Sequence, residues 1–142
     1  MKTMRFWAAI VIIGGVLSFR MSTPVPVSPA ERLCLDLNSG GAFILEMESK
    51  SSLGGPSPAE LGRKGLVELR RTLQRDAAAL ARAHPILSAA TLKLALIVDD
   101  MLVTRTRAAF LRVVDRFRRV NDGVPARTCS RLLGILPTKE RS

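Results

Sequence analysis

Apolar and polar positions alternate with a helical period over most of this chain, and they depart from it most sharply at the N terminus. Phe6 to Phe19 (FWAAIVIIGGVLSF) carries no charge and follows the basic start Met1 to Arg5. As a helix this run would rise about 21 Å, short of the ~30 Å hydrocarbon core of a bilayer. A basic start and an apolar run of this length match the first two regions of an export signal. Residues 1–19 are therefore expected to be a signal peptide, cut after Val16-Leu17-Ser18 or after Ser28-Pro29-Ala30. Because Arg20 flanks the far side, an uncleaved anchor is the second reading, and a buried N-terminal helix of a cytosolic protein the third.

Residues 20–27 (RMSTPVPV) are spaced by prolines and predict an extended tether. Ser28-Pro29-Ala30-Glu31 then predicts a helix start: Ser as N-cap, Pro at the first helical position, Glu reaching back to the cap. The same four residues recur at 57–60. The first helix is expected over 29–37, with Leu33, Cys34 and Leu37 on one side and Asn38-Ser39-Gly40-Gly41 ending it. Residues 42–50 (AFILEMESK) favour a helix, with a short strand left open, and 51–57 read as a loop.

Residues 58–83 give the clearest helical pattern. Leu66, Leu69, Leu73, Ala77, Leu80 and His84 share one side, and Lys64, Arg71, Arg75 and Arg82 lie opposite, with Glu68 among them. His84-Pro85 ends that helix. The next tract, 86–102, is apolar on most sides and interrupted only by Lys93, Asp99 and Asp100, a pattern suited to the central helix of a bundle, and its uncharged run from Leu94 to Val98 is far too short for a membrane span. Thr104-Arg105-Thr106 reads as a turn or as a continuation. Beyond it Phe110, Val113, Val114, Phe117 and Val120 form one face, and Arg105, Arg112, Arg116 and Arg119 a stripe away from it. Asp122-Gly123 closes this helix. Pro125 starts a short last one carrying Cys129, Leu132, Leu133 and Leu136, Pro137 stops it, and 138–142 form a polar tail. The expectation is an all-α bundle of four to five helices over residues 28–137.

Composition sharpens this picture at three points. After Phe19 the only aromatic residues are Phe43, Phe110 and Phe117. The core must then be aliphatic, which suits helix-on-helix packing better than a sheet sandwich. The two cysteines, Cys34 and Cys129, sit at opposite ends of the folded part. In an oxidising compartment such a pair is most simply a disulfide, closing a loop for which chain entropy gives roughly 4 to 5 kcal/mol. Two unrelated buried thiols are the alternative if the chain is not exported. Glu31-Arg32-Leu33 lacks the small residues that a lipid-attachment site places before its Cys. The formal charge is +10, with 17 Arg against 5 Lys. That bias accompanies abundant Ala, Gly, Val and Leu, as a GC-rich genome produces, so charge alone does not name a nucleic-acid partner.

Candidate chemistry is sparse. His84, the single histidine, reads as an axial haem ligand or a general base, or as an inward residue donating to a last-turn carbonyl; Met47 or Met101 would have to complete a haem site. Adjacent Asp99 and Asp100 point about 100° apart on a helix, so they match arginines on neighbouring helices better than a shared substrate. Ser88, Thr91 and Ser130 show no arrangement of an activated nucleophile. No metal set, glycine-rich phosphate loop or catalytic set is legible, and no cofactor is expected. The remaining feature is the two arginine stripes, Arg71, Arg75 and Arg82, and Arg105, Arg112, Arg116 and Arg119. They read as solvated helix faces or as sites for an anionic membrane surface or another polyanion. Nucleic acid is disfavoured because base-stacking aromatics are missing.

With the Cys34…Cys129 bracket, the helical middle and the Ala83-His84-Pro85 breaker, the chain resembles small exported helical proteins of actinobacteria. Among these it is similar in layout, over residues 30–136, to mycobacterial haemophore-like proteins, which share the signal, the bracketing cysteines and a helix ending in His-Pro or Asn-Pro. It departs from them in having no Tyr and a longer interval from Cys34 to His84-Pro85, so only the exported, disulfide-stapled helical architecture is carried over. The expected function is a non-enzymatic binding module at the cell envelope, secreted or anchored to the cytoplasmic membrane facing outward, with an envelope protein or an anionic membrane surface as partner. The alternative is a carrier of haem or another hydrophobic ligand within the bundle, motivated by His84 and the apolar tract around Leu94. An enzyme has only Asp99 and Asp100 in its favour.

Overall fold

The computed structural model describes residues 27–51 and 55–134, so the expected signal or anchor, most of the tether, Leu136 and the polar tail lie outside the described residues. Six helices follow in order: α1 Pro29–Lys50, α2 Pro58–Leu61, α3 Arg63–Leu80, α4 Pro85–Leu102, α5 Arg107–Asn121 and α6 Val124–Leu132. With α2 counted as the kinked first turn of α3, this is the expected all-α bundle, and the described residues contain no strand.

Both Ser-Pro-Ala-Glu starts form reciprocal capping boxes. Ser28 Oγ accepts from the Glu31 N–H at 3.2 Å while the Ser28 N–H donates to Glu31 Oε1 at 3.1 Å. Ser57 and Glu60 repeat the pair at 3.2 and 3.0 Å. Each box satisfies two backbone donors that a helix start leaves open.

Two expected boundaries differ. Asn38-Ser39-Gly40-Gly41 does not end the first helix, and residues 42–50 continue it as α1. The reason is packing: a Cβ on Gly40 would stand 2.7 Å from Leu69 Cδ1. The missing side chain lets α3 lie close, so this glycine serves as a contact point within a helix rather than as its stop. The 58–83 helix is broken at Gly62, whose φ of −111° and ψ of 20° leave helical geometry. A Cβ there would meet Met47 Sδ at 2.4 Å, and one on Gly65 would meet Phe43 Cζ at 2.3 Å. Phe43 and Met47 of α1 therefore seat in a notch made by two glycines.

The core runs through the middle of the bundle. Leu66, Leu73, Leu80, Leu94, Val98, Met101, Phe110 and Val114 are fully buried. The α4 helix touches α2, α3, α5 and α6, which is the central position expected for it. Ser88 Oγ donates to the Ala77 carbonyl at 2.7 Å, and Thr91 Oγ1 to that of Leu87 at 2.8 Å. These two buried hydroxyls tie the start of α4 to α3 and to its own backbone. A disulfide joins Cys34 of α1 to Cys129 of α6, with Cα atoms 5.5 Å apart and a sequence separation of 95.

Candidate functional site

The feature that burial alone does not account for is the outer face of α4. Its inner sides carry Leu87, Leu94, Val98 and Met101 into the core, but Ile86, Leu92, Leu96 and Val103 stay exposed at 72, 48, 65 and 74%. Ala89 is also exposed and falls between them. On a helical wheel Ala89, Leu92, Leu96 and Val103 form one stripe along the helix. Single exposed leucines need no explanation, whereas an apolar row along one helix does.

Cations stand around this row. Arg82 lies in the turn before α4, Lys93 on α4 itself and Arg105 in the turn after it, all exposed. Among the described residues, no carboxylate comes within 4.0 Å of any of them. Beside the row, α4, α5 and α6 enclose an open groove of about 860 Å³. Leu96, Ile97, Val120 and Val124 give it apolar walls, and Lys93, Arg116, Arg119 and Arg127 line it with positive charge, with Asp100 among them paired to Arg116.

The structure separates the seven candidate arginines into two kinds. Arg71 pairs with Glu68 at 3.1 Å, Arg75 reaches Asp36 at 3.4 Å and Asp76 at 3.6 Å, and Arg116 pairs with Asp100 at 2.7 Å. Arg119 is bonded to Asp115 one turn earlier. Arg82, Arg105 and Arg112 have no such neighbour among the described residues. Arg105 also leaves the stripe in which sequence placed it. Residues 103–106 form a turn, and Thr106 caps α5 by accepting from the Ala109 N–H at 3.1 Å. Asp99 pairs with Arg70 of α3 and Asp100 with Arg116 of α5, each at 2.7 Å, so the acidic pair is matched to arginines on two different helices.

His84 is exposed at the N-cap of α4, where its side chain makes no capping bond. The expected inward position assumed an unbroken helix. Helical geometry ends at Leu80, and the turn through Ala81–Ala83 carries the imidazole outward, away from the buried Met47 and Met101.

Two features were missed from sequence. Asp76 is only 2% exposed on α3, facing Asp36 of α1 beside Arg75, and its Oδ2 has no hydrogen-bond partner. Burial, reinforced by a hydrogen bond and like charge from Asp36, pushes its carboxyl from 3.8 up to about 7, against the pull of Arg75. The signal was its register: 66, 69, 73, 76 and 80 step by three and four, so Asp76 occupies a core position in a run of leucines. The second is a groove of about 640 Å³ beside the disulfide, with Leu35, Leu45, Phe117 and Leu133 in its walls. Asn121 lines it too, and its Oδ1 is buried without a partner.

No helix among the described residues is long and apolar enough to cross a membrane. No protein-family model, curated protein or solved structure matches this chain.

Proposed function

We propose that this chain is a non-enzymatic helical module, exported or tethered to the membrane, that acts by binding at the cell envelope. The observation that carries this reading is the Cys34–Cys129 bridge fastening the first helix of the bundle to the last. Bridges that staple small domains persist in oxidising compartments and are scarce in reducing ones. The basic start and apolar run at residues 1–19 supply the matching export signal. The same bracket carries the likeness in layout to exported actinobacterial helical proteins.

The test is the N-terminal sequence and intact mass of the protein taken from its native compartment, with thiols counted under denaturing, non-reducing conditions. A mass lower by two hydrogens, no reactive thiol and recovery from the envelope or outside the cell are expected. Two reactive thiols in a cytosolic protein would overturn the reading.

A second reading, a carrier of haem or another hydrophobic ligand, has the groove beside the disulfide in its favour, with its apolar walls and the unpartnered Asn121 Oδ1. Haemin titration discriminates. A Soret shift kept in His84→Ala supports haem in this groove, which His84 does not line, whereas its loss in that variant would place the haem at the start of α4 instead. No shift, together with no displacement of a fluorescent fatty-acid probe, ends this reading.

A further inference from the structure

We infer that the outer face of α4 is a docking surface for an anionic lipid bilayer, with the apolar row entering the interface and Arg82, Lys93 and Arg105 meeting lipid phosphates. This deepens the envelope reading and rests on it for the compartment.

Geometry points first to a flat, extended partner. Ile86 and Val103, the most exposed apolar residues here, lie near the two ends of an eighteen-residue helix, Val103 on the row and Ile86 about 60° round the helix from Ala89. A helix of that length is about 27 Å long. A ligand confined to one cavity would leave at least one end uncovered, whereas a membrane surface covers both at once. The pattern of apolar row and flanking cations is the one by which helices lie in the headgroup layer, the apolar side sinking roughly 5 to 10 Å.

Charge then selects the surface. Arg82, Lys93 and Arg105 spread over both ends and the middle of the helix, and among the described residues none has a carboxylate within 4.0 Å. The acidic groups of α4 are already matched, Asp99 to Arg70 and Asp100 to Arg116. They therefore do not repel lipid phosphates as bare carboxylates would. A second copy of the chain fits this face poorly, because it would bring a like set of cations against these. In the neighbouring groove Arg116 and Arg119 are already paired with Asp100 and Asp115, so Arg127 is the arginine there that adds positive charge to one side of the row.

The experiment follows the emission of Leu96→Trp in the full chain, in a Trp7→Phe background so that the native tryptophan is silent. It thus reads the α4 face whether or not residues 1–19 are inserted. Vesicles of equal parts phosphatidylglycerol and phosphatidylcholine are expected to shift the emission to the blue, with quenching when the lipids are brominated. Phosphatidylcholine alone is expected to have little effect. Replacing one of Arg82, Lys93 or Arg105 by Gln should raise the lipid concentration at half-shift about fivefold, and replacing all three about a hundredfold. Raising the salt should weaken the response of the unaltered cation set in the same direction, a measurement that requires no folding of a charge variant.

An emission unmoved by anionic vesicles overturns the proposal, as does an equal response to neutral ones. So does a shift without vesicles that grows with protein concentration, which would give the face to a second copy. The two readings fail separately. An oxidised, exported protein whose α4 face ignores vesicles loses only the docking surface. A reduced, cytosolic protein that still responds loses only the envelope assignment.

Discussion

A buried acid is the residue that gives this bundle a pH dependence. Asp76 is ionised in the unfolded chain near its ordinary value, and in the fold its carboxyl rises to about 7 through burial and the neighbouring Asp36. Between the unfolded value and the folded one, the native state holds a proton that the unfolded state has released. Stability therefore falls as pH rises from about 4 to about 7, and levels off above. The swing is on the order of 4 kcal/mol. Asp76→Asn removes the titration while keeping the shape. It is expected to leave stability near pH 4 little changed, to raise it above pH 7 and to flatten the profile between. Thermal melts of both proteins across that range check this. A parallel pH profile in the two proteins would place the dependence elsewhere.

Helix boundaries were legible in sequence where a side chain bonds the local backbone, and misread where a distant helix decides. Ser28 and Ser57 form the boxes their sequences predict because their capping partners lie three residues away, and His84-Pro85 separates α3 from α4 because a proline restricts the residue just before it. Gly40-Gly41 looked like a stop because glycine is the usual terminator, but its role here depends on Leu69, twenty-nine positions later. Asp76 escaped for a related reason: the leucine register pointed to burial, but only the approach of α1 brings Asp36 and Arg75 together around it. The glycines offer a direct test of local preference against packing. A Cβ on Gly41 meets nothing within 4 Å. Gly41→Ala should therefore stabilise by roughly 0.5 to 1 kcal/mol through helix propensity alone. Gly65→Ala carries the same propensity gain but drives a methyl into the Phe43 ring, and a net loss of about 1 to 3 kcal/mol is expected. Urea midpoints measured at constant slope decide it, and Phe43→Leu should return part of the loss in the Gly65 variant alone.

At the scale of the whole molecule, the bridge holds an element that packing holds only lightly. The α3 and α4 helices pack against each other extensively and bury Leu66, Leu73, Leu94 and Val98 completely, whereas the one fully buried residue of α6 is Pro125. Leu132 and Leu133 at the end of α6 are more than 40% exposed. A nine-residue helix is marginal by itself in water, so α6 keeps its place by contacts to α1, α4 and α5 and by the sulfur link to Cys34. Replacing both cysteines by serine should then act in two ways. The loop-closure term lowers global stability by roughly 4 to 5 kcal/mol. Below that global limit, α6 should open first, because few buried contacts oppose it. Hydrogen exchange separates the two effects. Amides of residues 124–132 are expected to lose nearly all protection in the double variant, while those in the middle of α3 and α4 keep exchange rates set by global unfolding. If α6 stays as protected as α4 without the bridge, its packing is sufficient and the disulfide acts only on the unfolded chain. If α3 and α4 exchange as fast as α6, the bundle has no independent centre and the bridge is a condition for folding at all.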